Sequence, residues 1–314
     1  MDGQAWATDD ELARLRRSFT LADLVPMAGA AGVTGTVVIQ TAAEPWETPD
    51  LLALAVGRDP YTTKDQADGS APPHGGPAAT SRDQPGAAGG LLAGVVGWTD
   101  LTASAVADSV AGLRALPGGE FLCGIRHPVL VEADPDWLAR PAVLRGLRAL
   151  AAAGLVFDIV TLPHQLPAAL TAARSVPELS FVLDHLGGPP AGSGQGGMDG
   201  PWTAVINSLA ALPNVTCKLS GVHTTPARAS DLRPYYQTAL AAFGPRRLMF
   251  GSDWPVSALT ATYPQVCDMY QELTAELTPA EREEIFDRSA RRVYHLQGPR
   301  PIRRNGWVTP TPRQ

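Results

Sequence analysis

The sequence has few of the features that mark several large classes of protein. Only three of its 314 residues are cysteine, without a framework spacing, which indicates a reducing compartment rather than a disulfide-bonded secreted domain. The net charge of -6 excludes the basic surface typical of nucleic-acid-binding proteins. No apolar run is long enough to span a bilayer, and the acidic N-terminal stretch does not resemble a signal peptide. These absences predict a cytoplasmic protein that binds neither membrane nor nucleic acid.

Apolar segments of strand length alternate with helical patterns along most of the chain. Such alternation predicts a parallel sheet covered by helices. The glycine-rich phosphate-binding fingerprint of doubly wound sheets is absent, which disfavours that architecture. Polar or charged residues end several of the predicted strands, as expected for a barrel that collects its site from many strand ends. The seven predicted strands are 34–40, 91–98, 121–127, 155–161, 179–185, 214–220 and 247–253.

Seven strands are one fewer than a closed barrel of this type requires. We therefore predict a distorted (β/α)8 TIM barrel, of the α/β class, whose first strand is missing at the N-terminus. The barrel is expected to form a single domain over residues 1–296, with a flexible Gly- and Pro-rich insertion at 57–90 and a poorly ordered tail at 297–314. Strands next to the gap would have unpaired edges, so lower solubility or a homodimer formed over the gap is expected.

Two of the predicted strands carry an ionisable side chain into the expected site. The run Leu248–Pro255 is apolar up to Asp253, and the run Phe181–Gly188 has the same design with His185 near its end. An acidic side chain at the end of a buried strand is costly unless it is paired, bound to a metal or catalytic. Together the two runs predict a hydrolytic site at the strand ends.

Seven short motifs follow one another along the chain: Val37–Thr41, Gly94–Trp98, Gly124–His127, Pro163–Leu166, Val182–Gly187, Cys217–Gly221 and Phe250–Val256. Taken in this order, they resemble one known family. The sequence is similar to the branch of the amidohydrolase superfamily that contains sugar-lactone hydrolases such as L-fuconolactonase and L-rhamnonolactonase, from about residue 17 to residue 296. The resemblance implies the distorted (β/α)8 barrel already expected from the alternation.

One departure from the family pattern concerns the N-terminus. The family normally opens with a strand that ends in a His-x-His pair, and this sequence contains no such pair. The missing strand and the missing histidines are therefore one absence. Either the gene start lies further upstream, or the protein is shortened.

The resemblance implies a role for two residues that would carry the chemistry. Asp253 corresponds to the general base that activates water, and His185 would donate to the substrate carbonyl or bind a metal. The structural alternatives are a capping or ion-pair role for Asp253 and a satisfied core position for His185. If a divalent metal such as zinc or manganese is used, His185 and Asp253 would be its ligands. Two ligands do not hold a metal tightly, so weak or absent binding is expected.

Four further residues are candidates for binding the substrate. Arg126 and His127 would hold lactone oxygens or the product carboxylate, because a guanidinium matches a carboxylate bidentately. A structural ion pair is the alternative for Arg126. His164 would line the pocket or cap a helix, and Trp254 would stack on a sugar face.

Three functions remain open on the sequence alone. The first is hydrolysis of an aldonolactone by water that Asp253 activates. The second is another reaction of the superfamily, either decarboxylation or amide hydrolysis. The third is a non-catalytic relative that has lost the His-x-His strand and binds a ligand instead.

Overall fold

The computed structural model describes residue 15 and residues 18–58, 90–189, 200–221 and 229–296. In this part of the chain seven parallel strands form one sheet, in the order of the sequence. All seven predicted strands are confirmed, and all except β3 are shorter than predicted. They are β1 Thr36–Ile39, β2 Leu92–Gly97, β3 Leu122–Pro128, β4 Val156–Val160, β5 Phe181–Leu183, β6 Val215–Leu219 and β7 Leu248–Phe250.

Helices follow the strands and cover one side of the sheet. Near the end of the described chain, two short α-helices are joined by a π-helical turn, Glu284–Arg288. Most of the predicted insertion at 57–90 and the whole predicted tail at 297–314 lie outside the described residues. The helices are α1 Leu21–Ala30, α2 Glu47–Ala55, α3 Val106–Arg114, α4 Pro141–Ala152, α5 Leu166–Ser175, α6 Pro201–Ala210, α7 Ala229–Phe243, α8 Tyr263–Leu273, α9 Pro279–Glu283 and α10 Ser289–Val293.

Local sequence fixes where the late helices begin. Thr262 and Thr278 precede α8 and α9, and each hydroxyl accepts from the backbone N–H three residues later. The side chains of Gln265 and Glu281 bond back to the backbone N–H of the capping threonine at 2.8 and 2.9 Å. A proline occupies the first turn of each helix, where its missing N–H costs nothing.

The sheet curls around an interior. Side chains from strands far apart in the sheet, such as β2 and β7, meet there: Val96 of β2, Val156 of β4, Val182 of β5 and Met249 of β7 all pack in one cluster with Tyr294. A flat sheet would keep these strands apart, so their contact confirms the barrel-like architecture. Within the described residues, β1 and β7 each pair with only one neighbour.

The buried core lies mainly between the sheet and the helices that cover it. Strands buried on both faces account for the continuous apolar runs in the sequence. The three cysteines are free thiols, with Cys217 and Cys267 buried. Among the helices of the described segments, none has both the length and the apolar character needed to cross a membrane.

Candidate functional site

His185 and Asp253 lie together just beyond the carboxyl ends of β5 and β7. The two strands end earlier than predicted, so both residues sit on turns rather than at strand tips. Each has a left-handed backbone, with φ of 54°. The His185 Nε2 atom is 3.8 Å from the Asp253 Oδ1 atom, and the side chains are 25% and 17% exposed. The separation exceeds a direct hydrogen bond but is short enough for one water molecule beside the pair to contact both atoms.

The imidazole of His185 is held from behind by the end of β6. Its Nδ1 atom lies 2.9 Å from the Oγ atom of buried Ser220. The next residue, Gly221, has φ of 72°, and a Cβ atom built there would lie 2.2 Å from the His185 Cγ atom. A side chain at Gly221 is therefore excluded both by its backbone and by the imidazole. Ser220 and Gly221 therefore hold the imidazole of His185 so that its Nε2 atom faces Asp253.

Arg126 reaches the same interior from β3. Its Nε and Nη2 atoms donate to the Gln40 carbonyl at 3.0 and 2.5 Å, and its Nη1 atom lies 3.1 Å from Asp184 Oδ2. The ion pair considered as its structural alternative is therefore present. A guanidinium has five N–H donors. These contacts use three of them, and the other two have no partner among the described residues. The side chain is 12% exposed, which keeps those donors open to a ligand.

A buried network of charges lies beneath the site. The Lys218 Nζ atom is 2.5 Å from Asp184 Oδ1 and 2.9 Å from Asp158 Oδ2. The Tyr294 hydroxyl donates to the same Asp158 oxygen at 2.7 Å. Lys218 is therefore the partner of two barrel carboxylates. Because Asp184 directly precedes His185, the network also anchors the site to β4 and β6.

The two carboxylates of the network respond differently to the same surroundings. Burial disfavours ionisation of both, and for Asp158 this effect wins and raises its pKa. At Asp184 the burial effect is outweighed by the charges of Lys218, His185 and Arg126, which hold its pKa at about 2. Burial also opposes the charge of Lys218, but the two carboxylates raise its pKa. Lys218 and Asp184 therefore form the ionised centre of the network.

His127 follows Arg126 on β3 but lies among a different set of side chains. Its Nδ1 atom accepts from the Trp98 indole at 3.1 Å, and its Nε2 atom lies 2.7 Å from Glu132 Oε1. The ring stacks on Trp137 with centroids 4.1 Å apart. Burial lowers its pKa although Glu132 opposes this. Both ring nitrogens thus have protein partners, unlike the two free donors of Arg126.

His164 and Trp254 lie at the same edge of the sheet as the site. His164 is exposed on the 3-10 turn Pro163–Gln165 that follows β4. The capping role considered for it belongs to Gln165, whose Oε1 atom accepts from the Leu162 N–H at 2.9 Å. Trp254 is half-buried and makes an edge contact with Phe19, with ring centroids 5.5 Å apart. Neither residue contacts His185 in a bond or ion pair.

Sequence reasoning did not identify Ser220, Gly221, Asp184, Asp158 or Tyr294 as parts of this arrangement. Two signals were available. Asp184 precedes His185 within one of the seven motifs, and Asp158 is a lone carboxylate inside the apolar run of β4. A charge buried in such a run requires a partner, and Lys218 on β6 is the matching cation.

The described segments provide few ligands for a metal. No group of three or more His, Cys, Asp or Glu side chains within them is arranged to hold an ion. His185 and Asp253 are two candidate ligands, which is fewer than a tight zinc site uses.

Comparisons with known proteins agree with this architecture. Over 296 residues the chain is 32% identical to an L-fucono-1,5-lactonase of Burkholderia ambifaria, covering 90% of this chain and 87% of the relative. It is 39% identical over 224 residues to an L-fucono-1,5-lactonase of Burkholderia multivorans, covering 68% and 74% of the two chains.

Solved structures are similar over nearly the whole chain. A crystal structure of an amidohydrolase from Burkholderia multivorans with bound zinc has a TM-score of 0.75 and 33% identity, and the match covers 91% of this chain and 92% of that one. The family model described as Amidohydrolase matches residues 10–296. The chain therefore belongs to the amidohydrolase family.

Proposed function

We propose that this protein hydrolyses a sugar lactone, an aldonolactone of the L-fucono-1,5-lactone type. The observation that carries the proposal is the pair His185 and Asp253, 3.8 Å apart and both accessible, at the carboxyl edge of the sheet. Active sites of this kind of barrel gather at that edge. The relatives that are 32% and 39% identical to this chain are L-fucono-1,5-lactonases, which supports the choice of substrate.

In the proposed mechanism Asp253 is the general base. It accepts a proton from a water molecule that contacts both its Oδ1 atom and His185 Nε2. The water oxygen then attacks the lactone carbonyl carbon. When the tetrahedral intermediate collapses, the bond to the ring oxygen breaks, and Asp253 returns the proton to that oxygen. The product is an open-chain hydroxy acid.

His185 stabilises the negative charge that forms on the carbonyl oxygen. For this it needs a proton on Nε2, and a hydroxyl donated by Ser220 to Nδ1 selects that tautomer. The ring is held in one orientation by Gly221 and Ser220, so little reorganisation accompanies the reaction. The left-handed turns at His185 and Asp253 are conformations that ordinary residues rarely adopt and that are concentrated at functional sites.

Substrate binding is assigned to Arg126, His164 and Trp254. The two free donors of Arg126 suit the carboxylate that ester hydrolysis creates. His164 is exposed on the turn after β4, and Trp254 is half-buried on the turn after β7, beside the proposed base. We assign His127 no direct contact with substrate, because Trp98 and Glu132 already bond both of its ring nitrogens.

The described residues do not fit a tightly bound metal, although a similar solved structure contains zinc. His185 and Asp253 supply two ligands, and no step of the mechanism above depends on a metal. We predict that the purified protein carries far less than one zinc or manganese per chain. Elemental analysis after purification without chelators measures this, and a near-stoichiometric content would contradict it.

The proposal is tested by acid release from a panel of aldonolactones, with L-fucono-1,5-lactone first. The Asp253→Asn variant should lower kcat by about 100-fold to 10,000-fold, the usual contribution of a general base. Asp108→Asn, which changes an exposed carboxylate on α3, serves as the matched control and should leave kcat unchanged. Equal activity of the Asp253→Asn variant and the parent would show that Asp253 is not the base. Absence of turnover across the panel would reject the lactonase assignment.

A further inference from the structure

A second cleft lies at the opposite edge of the sheet from His185 and Asp253. Its volume is about 430 Å³, within the range of small-molecule sites. It is built from residues that precede β5, β6 and β7, from Thr216 of β6 and from the end of the last described helix, α10. The side chains that line it include Ser180, Asn214, Thr216, Arg246, Arg247 and Arg292.

Hydrogen bonds from side chains to backbone carbonyls hold the walls of this cleft in place. Arg247 donates to the carbonyls of Ala210 and Leu212 at 2.7 and 2.9 Å. Asn214 donates to those of Ala173 and Leu179 at 3.1 and 3.0 Å. These contacts join three separate segments, so the cleft keeps its shape without a ligand. A preformed cavity costs little ordering when a ligand binds.

The charge of the cleft is positive and only partly compensated. Arg292 pairs with Glu284 at 3.0 Å and also donates to the backbone carbonyl of Arg246. The guanidinium of Arg246 is exposed and has no hydrogen bond or ion pair to any other described residue. Among the described residues that line the cleft there are three arginines and a histidine, and no carboxylate. This is a local excess of positive charge in a chain whose net charge is -6.

We propose that this cleft binds a small dianion, either a phosphate group or a dicarboxylate. Guanidinium groups bind the oxygens of such anions through paired, charge-assisted hydrogen bonds. Arg246 supplies the free donors, Arg292 and Arg247 add positive charge, and Ser180 and Thr216 provide hydroxyls. The cleft is separate from the proposed catalytic site, so this inference does not depend on the lactonase assignment.

The bound anion would also connect the last described helix, α10, to the sheet. Val293 and His295 line the cleft, and Tyr294 between them reaches Asp158 in the buried network. A ligand that binds the folded state alone stabilises it by mass action. The melting temperature should therefore rise with the concentration of the anion.

Isothermal titration calorimetry of the intact protein with inorganic phosphate and with malonate, at constant ionic strength in chloride, tests the proposal. We expect saturable one-to-one binding of at least one of these dianions. Arg246→Ala should weaken it about tenfold or more, as loss of a charged hydrogen bond implies. Arg246→Lys, which keeps the charge, should weaken it less. Arg58→Ala, at an exposed arginine near the start of the predicted insertion, is the matched control and should bind like the parent.

Each result decides the proposal. Binding of phosphate alone or of malonate alone supports it and identifies the class of anion. No heat with either dianion would overturn it, as would equal affinities of the parent and the Arg246→Ala variant. An equal loss in the Arg58→Ala control would also overturn it, because that pattern indicates non-specific screening. Far-ultraviolet circular dichroism of each variant verifies that it is folded, and lactone turnover measured in parallel separates this result from the proposed function.

Discussion

The proposed chemistry depends on a few residues whose backbone is unusual. His185, Leu186 and Asp253 all have positive φ although none of them is glycine. Such conformations cost free energy and persist only where the surrounding structure enforces them. Gly221, also left-handed, lies so close to His185 that an added Cβ atom would overlap its imidazole. It is therefore the position at which one added carbon atom should disturb the site most.

We predict that Gly221→Ala lowers kcat/KM for the lactone by at least about 100-fold, the effect of displacing a catalytic group by about 1 Å. The new Cβ atom would lie 2.2 Å from the imidazole, so the ring must move. Gly154→Ala is the matched control, since Gly154 has φ of 66° but no atom within 4 Å of the added carbon. Both variants should lose about 1–2 kcal/mol of unfolding free energy from the left-handed backbone.

The two assays separate these effects. Lactone turnover reports the position of His185, and urea unfolding reports the cost of the backbone. If Gly221→Ala keeps the turnover of Gly154→Ala, then the orientation of His185 does not matter for the reaction.

The sequence predicted the two ionisable residues of the site but not the residues that hold them. Asp253 and His185 stood out because each is charged or polar at the end of an apolar run. Ser220 and Gly221 carry no such signal, because their roles rest on distances to His185 that only the fold creates. The left-handed turns were missed because the predicted strands ran past Leu183 and Phe250, where β5 and β7 end.

At the scale of elements, ion pairs across the interior join strands that are distant in sequence. Lys218 on β6 connects Asp158 on β4 with Asp184 at the end of β5. The strands themselves were predicted well, because burial on both faces leaves a continuous apolar pattern. Helices α1 and α8 were not predicted, and both have polar residues within their apolar patterns.

We predict that Lys218→Met lowers the unfolding free energy by about 3–5 kcal/mol, the usual cost of removing one partner from a buried pair. Asp158 would remain buried without a cation, and Asp184 would keep only Arg126 as its partner. The matched control is Arg140→Met, which breaks the exposed pair with Asp134 at 2.7 Å and should cost no more than about 1 kcal/mol. Urea unfolding at neutral pH measures both. A loss at Lys218 as small as that at Arg140 would mean that the buried network contributes little to stability.

At the scale of the whole molecule, the C-terminal segment closes the interior of the curled sheet. Tyr294 packs with side chains from four strands and bonds Asp158, and Leu296 approaches Gly94 of β2. The unpaired edges of β1 and β7 within the described residues are where a homodimer would form. The homodimer stays a prediction, which light scattering across a concentration series would test.

The stability of the molecule should depend on acid through Asp184. Its folded pKa of about 2 lies below the ordinary value of 3.8, so the folded state binds fewer protons than the unfolded state. The ionised form of Asp184 therefore stabilises the folded state by about 2 kcal/mol. This stabilisation is complete above about pH 4 and is lost as the pH falls towards 2. Asp158 has the opposite effect: because its pKa is raised, its protonation stabilises the folded state. Arg126 is one of the charges that hold the pKa of Asp184 down. In Arg126→Gln this pKa should lie closer to the ordinary value, so the acid-dependent loss should be smaller and should end at a higher pH. Unfolding free energies of both proteins between pH 7 and pH 2 measure this, and equal losses in the two proteins would show that Arg126 does not lower the pKa of Asp184.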